Sequence, residues 1–226
     1  MSKNMSYPDT KIVTLSGEPL IASADSEPTT RRFATKQMDA AWIERLQSRQ
    51  PQLWQDPKYI ELRRNLLRFG GSEVNLSPAG PYLDILVSER AMVWDGATSK
   101  RIRGGEPNSC HSNVARHYER QRRPRWRIAT GYALCDKGLW RQHSWLCSEK
   151  IIGETTVRFV AYAGVILDDV ESVLFWLANR EEPWPEPLPP ALRLDDPHIK
   201  ASATKLLIAE LEAAEAQGAH RLTAKL

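Results

Sequence analysis

Three residues between Gly105 and Glu154 have the types and the order that nucleophilic catalysis through sulfur requires. Cys110 follows two residues that favour helix starts, His143 lies in a strand-like run, and Glu154 lies in the run after it. A thiol becomes a strong nucleophile when a neighbouring histidine takes its proton, and a carboxylate can hold that imidazole in one orientation. The sequence therefore predicts a catalytic triad of Cys110, His143 and Glu154.

Cys110 is preferred over the other two cysteines because of its place in the chain. Asn108 and Ser109 are good N-cap residues, which puts Cys110 in the first turn of a helix. The unpaired amides and the helix dipole there stabilise a thiolate, and the same amides can hold a developing oxyanion. Cys135 and Cys147 lie inside strand-like runs, where a cysteine usually behaves as a small buried hydrophobe.

Four further side chains are candidates for oxyanion or substrate binding. The carboxamides of Asn108 and Asn113 flank the nucleophile in the sequence. Arg141 and Trp145 share one face of a strand with His143, because side chains two apart in a strand point the same way. The amide of Cys110 itself is the firmer prediction of an oxyanion donor.

The histidine and the acid are positioned by strands with short connections. Residues 126–135, 139–148 and 151–167 read as three sequential strands, with a turn at 136–138 and another at 148–150. Connections this short predict an antiparallel meander.

The length of the second turn decides where Glu154 lies relative to His143. A loop at 148–149 makes the two residues direct cross-strand partners, and a loop at 149–150 makes them diagonal neighbours on the same face. An odd-numbered loop or a bulge would instead place Thr155 opposite His143. The turn lacks an Asn-Gly signature, so the sequence leaves these registers open.

The order of a helix-borne cysteine, a strand histidine and an acid on the next strand resembles the papain-like cysteine hydrolase and transferase superfamily. The resemblance covers roughly residues 105–165 and is one of arrangement, because the Gly-Ser-Cys-Trp segment of papain-type enzymes is replaced here by Asn-Ser-Cys-His. It implies acyl transfer through a thioester, resolved by water or by an amine, on an amide or ester substrate. Glutamate departs from the Asn or Asp that usually orients the histidine.

Purely structural roles for the same three residues are alternatives to the triad. Cys110 could be a structural cysteine, His143 a histidine packed between Trp140 and Trp145, and Glu154 the cross-strand partner of an arginine. The main alternative is a non-enzymatic binding module that uses the Arg-rich segment 116–127 and the Pro-rich segment 181–190. The Arg-rich segment could also recognise an acidic or phosphate-bearing substrate, whereas a nucleic-acid footprint needs a wider basic face.

No cofactor or metal is expected. Cys110, His111, His117 and His143 include possible zinc ligands, but His111 and His117 are six residues apart, which is poor spacing on a helix. Gly104-Gly105 stands alone, without the further glycines of a phosphate cradle or a dinucleotide fingerprint.

Composition predicts a folded protein of a reducing compartment. The 226 residues are 42% hydrophobic with a net charge of +3, and no run of eighteen apolar residues is present. Three cysteines and a polar N-terminus argue against a disulfide framework and a secretory signal. We expect a cytoplasmic protein without membrane association. The Ser-rich leader also fits a bacterial effector exported by a non-Sec route.

The elements around the triad complete an expected α+β domain at residues 36–180, with the nucleophile helix packed on a mostly antiparallel sheet. Apolar spacing predicts helices at 36–49 and from Asp56 to Gly70, strands at 82–89 and 91–94, and an apolar helix at 170–179. Residues 1–35 are predicted to be a flexible arm. Residues 181–226 are predicted to form a Pro-rich strap and a C-terminal helix from Asp196 to Gln217, through which the protein could form oligomers.

Overall fold

The computed structural model describes residues 18–20, 32–78, 82–88, 90–120, 126–148 and 151–179, which form a mixed α+β fold. Five helices are present in these ranges: α1 (Ala40–Ser48), α2 (Pro57–Arg68), α3 (Tyr82–Leu86), α4 (Cys110–Glu119) and α5 (Asp169–Asn179). The strands are β1 (Glu18–Pro19), β2 (Glu73–Asn75), β3 (Met92–Asp95), β4 (Ser99–Arg101), β5 (Arg127–Leu134), β6 (Leu139–Cys147), β7 (Ile152–Glu154) and β8 (Ala161–Ile166).

Side-chain caps set the starts of the two N-terminal helices. Asp39 accepts hydrogen bonds from the amides of Ala41 and Trp42 at 2.8 and 3.2 Å, so α1 begins at Ala40 and not at residue 36. Asp56 accepts from the amide of Lys58 at 2.8 Å, and a proline occupies the first turn of α2. Both patterns satisfy amides that have no partner within the helix.

The sheet places β5 and β6 at its centre, in the order β1-β3-β8-β5-β6-β7-β4. β5 pairs with β6 along its whole length, from Arg127 opposite Cys147 to Leu134 opposite Trp140. β7 pairs antiparallel with β6, and β2 pairs with the other end of the same edge of β6 in parallel. The predicted β5–β6 hairpin and the antiparallel β6–β7 connection are confirmed.

The predicted third strand over 151–167 is wrong, because the structure divides it into β7 and β8. After Glu154 the chain bends, and the Glu154 carboxylate accepts the amide of Thr156 in place of a ladder bond. Residues 155–160 then cross to the other side of β5, where β8 pairs with it. Strands β5, β6 and β7 with β8 returning beside β5 form a Greek key and not a simple meander.

The sheet is strongly curled. β3 and β4 are separated in the chain only by a 3-10 turn at Gly96–Thr98, yet four strands lie between them in the sheet order. The face that the helices cover carries most of the core, whereas the inner face holds a second apolar cluster that includes Trp94, Trp145 and Tyr162. His143 and Glu154 lie on this inner face.

Two other predictions also differ from the structure. The segment predicted as a strand at 82–89 contains α3, because Leu83 and Leu86 are buried at the i, i+3 spacing of a helix face. Within the predicted flexible arm of residues 1–35, β1 pairs with β3 and Leu20 is fully buried. The rest of that arm lies outside the described residues, apart from 32–35.

The strand predicted at 91–94 and the helix predicted at 170–179 are confirmed as β3 and α5. Asp168 caps α5 by accepting the amide of Glu171 at 2.8 Å. The Pro-rich strap, the C-terminal helix and its role in oligomers lie outside the described residues.

Candidate active site

The register of the β6–β7 hairpin places His143 and Glu154 as diagonal neighbours. Cys147 is opposite Ile152, and the amide of Ser148 donates to the carbonyl of Ile151 at 3.0 Å. The loop is therefore the two residues 149 and 150, which is the second of the registers that the sequence left open. Nε2 of His143 lies 2.9 Å from Oε2 of Glu154, so the longer reach of glutamate bridges the diagonal separation.

The carboxylate of Glu154 has all of its acceptor positions filled. Oε2 accepts from His143 and from the hydroxyl of Tyr162, both at 2.9 Å. Oε1 accepts from the amide and the hydroxyl of Thr156, at 2.7 and 2.9 Å. A buried carboxylate with four donors keeps its charge and one orientation. Thr156 could be suggested as a partner of Glu154 from the sequence, because it follows the acid by two residues. Tyr162 could not, because its contact with Glu154 depends on where β8 lies in the sheet.

Aromatic rings enclose His143. The residue is 3% exposed, and its ring centroid lies 4.6 Å from that of Phe159. Trp145 lies parallel to the imidazole within 14°, at a centroid distance of 6.2 Å. Tyr162 completes the enclosure at 6.1 Å. These contacts exclude water from the imidazole and from its bond to Glu154.

Cys110 approaches His143 at a gap along one edge of β6. Along one edge of β6, β2 pairs as far as Arg141 and β7 pairs from Leu146, and the N-terminus of α4 lies against the gap between them. The amides of Ser144 and His111 donate to the sulfur of Cys110, which is also hydrogen-bonded to His143. Since Nε2 of His143 is held by Glu154, Nδ1 is the nitrogen that faces the sulfur. Cys110 is the first residue of α4 and so lies in the first turn of a helix, as predicted.

The local start of α4 differs from the predicted cap. Ser109 occupies the N-cap position without a side-chain hydrogen bond to the helix, and Asn108 before it has a φ of 61°. Such left-handed backbone is uncommon outside glycine, although asparagine tolerates it better than most residues. The first-turn amides of α4 therefore lack the side-chain cap that the sequence predicted.

The pKa values of the three groups are coupled. Burial alone would raise the pKa of Cys110, but the hydrogen bond and charge of His143 and the amides of Ser144 and His111 outweigh it, so the thiol pKa is lowered. Burial lowers the pKa of His143, but hydrogen bonds to Cys110 and Glu154 and their charges raise it to about 9. Burial likewise opposes ionisation of Glu154, and its bonds to His143, Thr156 and Tyr162 still lower its pKa. The lowered thiol pKa and the raised imidazole pKa both favour a thiolate–imidazolium pair.

His111 is a neighbour of the sulfur that the sequence suggested only as a possible metal ligand. Its Nδ1 is hydrogen-bonded to the hydroxyl of Ser144 at 2.6 Å, and that hydroxyl bonds Thr130 at 2.8 Å. Burial and the charge of His143 lower the pKa of His111 to about 4, so it is neutral at pH 7. His111 thus ties the start of α4 to the strand that carries His143, without competing for the thiol proton.

The predicted oxyanion and substrate-binding residues have different surroundings. Asn113 is buried, and its carboxamide bonds both the amide and the carbonyl of Glu106, at 2.9 and 2.8 Å, so it fixes the loop before α4. Trp145 is fully buried against His143, which places it in the core and away from any substrate. Asn108 is exposed two residues before the sulfur, and Arg141 is exposed on the face of His143.

The other two cysteines lack this environment. Cys147 is buried in the inner apolar cluster, and burial raises the pKa of its thiol to about 12. Cys135 is half-buried at the end of the β5–β6 hairpin. All three thiols are free.

The pH dependence of Cys110 alkylation follows from the directions of these pKa shifts. The thiol pKa of Cys110 is lowered, so its thiolate forms at a lower pH than that of a free thiol, which titrates at about 8.5. The raised pKa of His143 means that the imidazolium persists up to about pH 9. We expect the rate constant to rise in acid, stay level through neutral pH and change again near pH 9. Stopped-flow alkylation from pH 4 to 10 checks this, and one transition at the ordinary thiol value contradicts it.

The described residues give little support for a metal site, a membrane span or a basic binding surface. Three or more His, Cys, Asp or Glu side chains grouped to hold a metal ion do not occur there. Within the same ranges, each helix is too short or too polar to cross a bilayer. Of the Arg-rich segment 116–127, residues 121–125 lie outside the description, and Arg116 lies 3.8 Å from Glu106.

Comparison with protein-family models, with curated proteins and with solved structures found no match to this chain.

Proposed function

We propose that the protein is a thiol-dependent acyl hydrolase or acyltransferase that acts on an amide or ester. The observation that carries this proposal is the grouping of Cys110, His143 and Glu154, in which His143 bonds Glu154 at 2.9 Å and lies close enough to the thiol to lower its pKa. A merely structural cysteine would gain nothing from a buried imidazole whose own orientation is fixed by a carboxylate with four donors.

The reaction uses the ion pair at each step. The thiolate of Cys110 attacks the carbonyl carbon, its proton having passed to Nδ1 of His143. The tetrahedral intermediate collapses as His143 protonates the departing nitrogen or oxygen, which leaves a thioester. Water or an amine then attacks the thioester while His143 removes its proton, the carbon–sulfur bond breaks, and the thiolate is restored. Glu154 keeps Nδ1 directed at the sulfur throughout.

The oxyanion is held by the start of α4. The backbone N–H of Cys110 is the first of the helix, where amides have no partner within the helix and the dipole is positive. Asn108, exposed and close in sequence, is the candidate for a second donor. Such donors stabilise negative charge that develops only in the transition state.

The resemblance to the papain-like superfamily in the order of these elements supports the same proposal. The helix that carries the nucleophile at its N-terminus packs against a curled sheet, and the histidine projects from a central strand of that sheet. In that arrangement the orienting residue follows the histidine in the chain, as Glu154 does here.

Reaction with an activated ester tests the acyl chemistry directly. We expect p-nitrophenyl acetate to give a burst of product and an acetyl group on Cys110, detected by mass spectrometry after an acid quench. The thioester should be cleaved by hydroxylamine. Adding a primary amine should accelerate turnover if the protein is a transferase and leave it unchanged if water is the natural acceptor.

Cys110→Ser is expected to lower the burst at least about 100-fold, since a hydroxyl is not ionised by this histidine. Cys135→Ser is the matched control, because it changes a half-buried thiol outside the triad. Acetylation of Cys135 or of lysines only, with Cys110 unmodified, would refute the proposed function.

A further inference from the structure

A surface pocket of about 360 Å³ opens beside the acid of the triad. It is lined by Arg101, Glu154, Thr156, Val157 and Arg158. Its volume is at the lower end of the range for small-molecule sites, and it matches a substrate fragment better than a whole polymer. Val157 is 61% exposed and supplies an apolar wall.

The charge at this pocket is net positive. Glu154 is paired with His143, and one imidazolium with two anions leaves the buried triad at −1, against +2 for Arg101 and Arg158. Arg158 donates to the carbonyl of Ser99 at 3.1 Å, which holds its guanidinium beside β4. Arg101 belongs to β4 and is exposed. Within the described ranges, neither arginine has a carboxylate oxygen within 4 Å, so both are available to an anion.

The pocket is close to the nucleophile. Arg101 is the register partner of Glu154 on the neighbouring strand, and Glu154 is separated from the sulfur of Cys110 only by the ring of His143. The loop that leads into Cys110 also touches the pocket segment, since a Cβ on Gly105 would lie 2.0 Å from the carbonyl oxygen of Thr155. The loop before Cys110 is thus packed directly against the segment that lines the pocket.

We propose that this pocket binds an anionic group, a carboxylate or a phosphate, carried by the acyl substrate. Guanidinium groups are well suited to both anions because of their planar fork of donors. Arg101 and Arg158 would form the anion site, and Val157 would contact the apolar part that joins the anion to the scissile bond. This inference rests on the proposed function and adds the substrate class to it.

Charged and neutral affinity labels test the proposal without knowledge of the substrate. The probes are chloroacetamides that carry, on linkers of increasing length, a carboxylate, a phosphonate or a neutral carboxamide. On the full chain we expect one linker length at which an anionic probe alkylates Cys110 about tenfold faster than its neutral counterpart. The faster of the two anionic probes identifies the anion, and salt at about 1 M should reduce the preference.

Two variants and a control assign the preference to the pocket. Arg101→Gln alone should reduce the anionic preference to about threefold, and Arg101→Gln with Arg158→Gln should abolish it. Lys100→Gln is the matched control, because Lys100 is an exposed cation on the opposite side of β4 from Arg101. The neutral probe should react equally with all of these proteins.

The outcomes separate this inference from the function on which it rests. Alkylation at Cys110 that depends on His143 but never favours an anionic probe overturns the anion site and leaves the enzyme proposal standing. An anionic preference that survives the double variant also overturns it. Failure of every probe to favour Cys110 over Cys135 would reject the proposed function itself.

Discussion

His143→Ala is expected to lower the rate of Cys110 alkylation at pH 7 by about 100-fold. Without the imidazolium, burial dominates the environment of the thiol and returns its pKa to its ordinary value or higher, so only about 1% remains ionised at neutral pH. Acyl transfer should fall further, because the variant also lacks the group that protonates the leaving atom. Iodoacetamide labelling, followed by mass spectrometry of the Cys110 peptide, measures the effect.

The loss should shrink as the pH is raised. Near pH 10 a thiol ionises without help, so the wild type and His143→Ala should then differ by less than about tenfold. His117→Ala is a suitable control, because His117 lies two turns further along α4 and is also partly buried. A variant that stays equally slow at every pH has lost its structure, which circular dichroism would show. Equal labelling of wild type and His143→Ala at pH 7 would contradict the triad.

Glu154→Gln is expected to lower acyl transfer at pH 7 by about 10- to 100-fold while keeping the shape of the side chain. The carboxylate supports the imidazolium, so its removal lowers the pKa of His143 from about 9 and weakens the ion pair with Cys110. In a pH profile of alkylation the two transitions should move toward each other. The stability should fall by about 1–3 kcal/mol, because a carboxamide cannot accept from all four donors that surround it.

The sign of the stability change can be checked with pH. The pKa of Glu154 is lowered in the folded state, so its contribution is present above its unfolded value and is lost in acid. Urea titrations should therefore show wild type and Glu154→Gln converging in stability as the pH falls toward 4 and below. Glu106→Gln makes the same chemical change at an exposed carboxylate 3.8 Å from Arg116 and should alter neither profile. If the upper transition of the alkylation profile is unchanged in Glu154→Gln, the pKa of His143 does not depend on this acid.

The parts of the site that sequence reasoning could place are those set by local rules. Capping preferences and apolar spacing put Cys110 in the first turn of a helix, and period two put His143 and Glu154 on one sheet face for either two-residue loop. The two-residue loop was among the registers considered. The choice between them depends on the packing of β7 against β4 and β6, which no turn signature in residues 148–151 encodes.

The parts that could not be predicted depend on long-range pairing. β8 continues the apolar run of β7 in the sequence, and only the bend after Glu154 sends it to the far side of β5. Tyr162 and Phe159 reach the triad through that crossing. Trp145 was predicted to contact a substrate because it shares a strand face with His143. Its burial follows from the curl of the sheet around it, which the sequence does not reveal.

The gap along one edge of β6, between its partners β2 and β7, also bears on the risk of aggregation through that edge. An open strand edge is a template on which a second polypeptide can dock and start an aggregate. The tip of α4 occupies that edge, and the sulfur takes up the amide of Ser144 that a foreign strand would otherwise use. Cys110 therefore contributes both to the candidate site and to the protection of this strand edge. A substitution of Cys110 would have to leave that amide covered by another group.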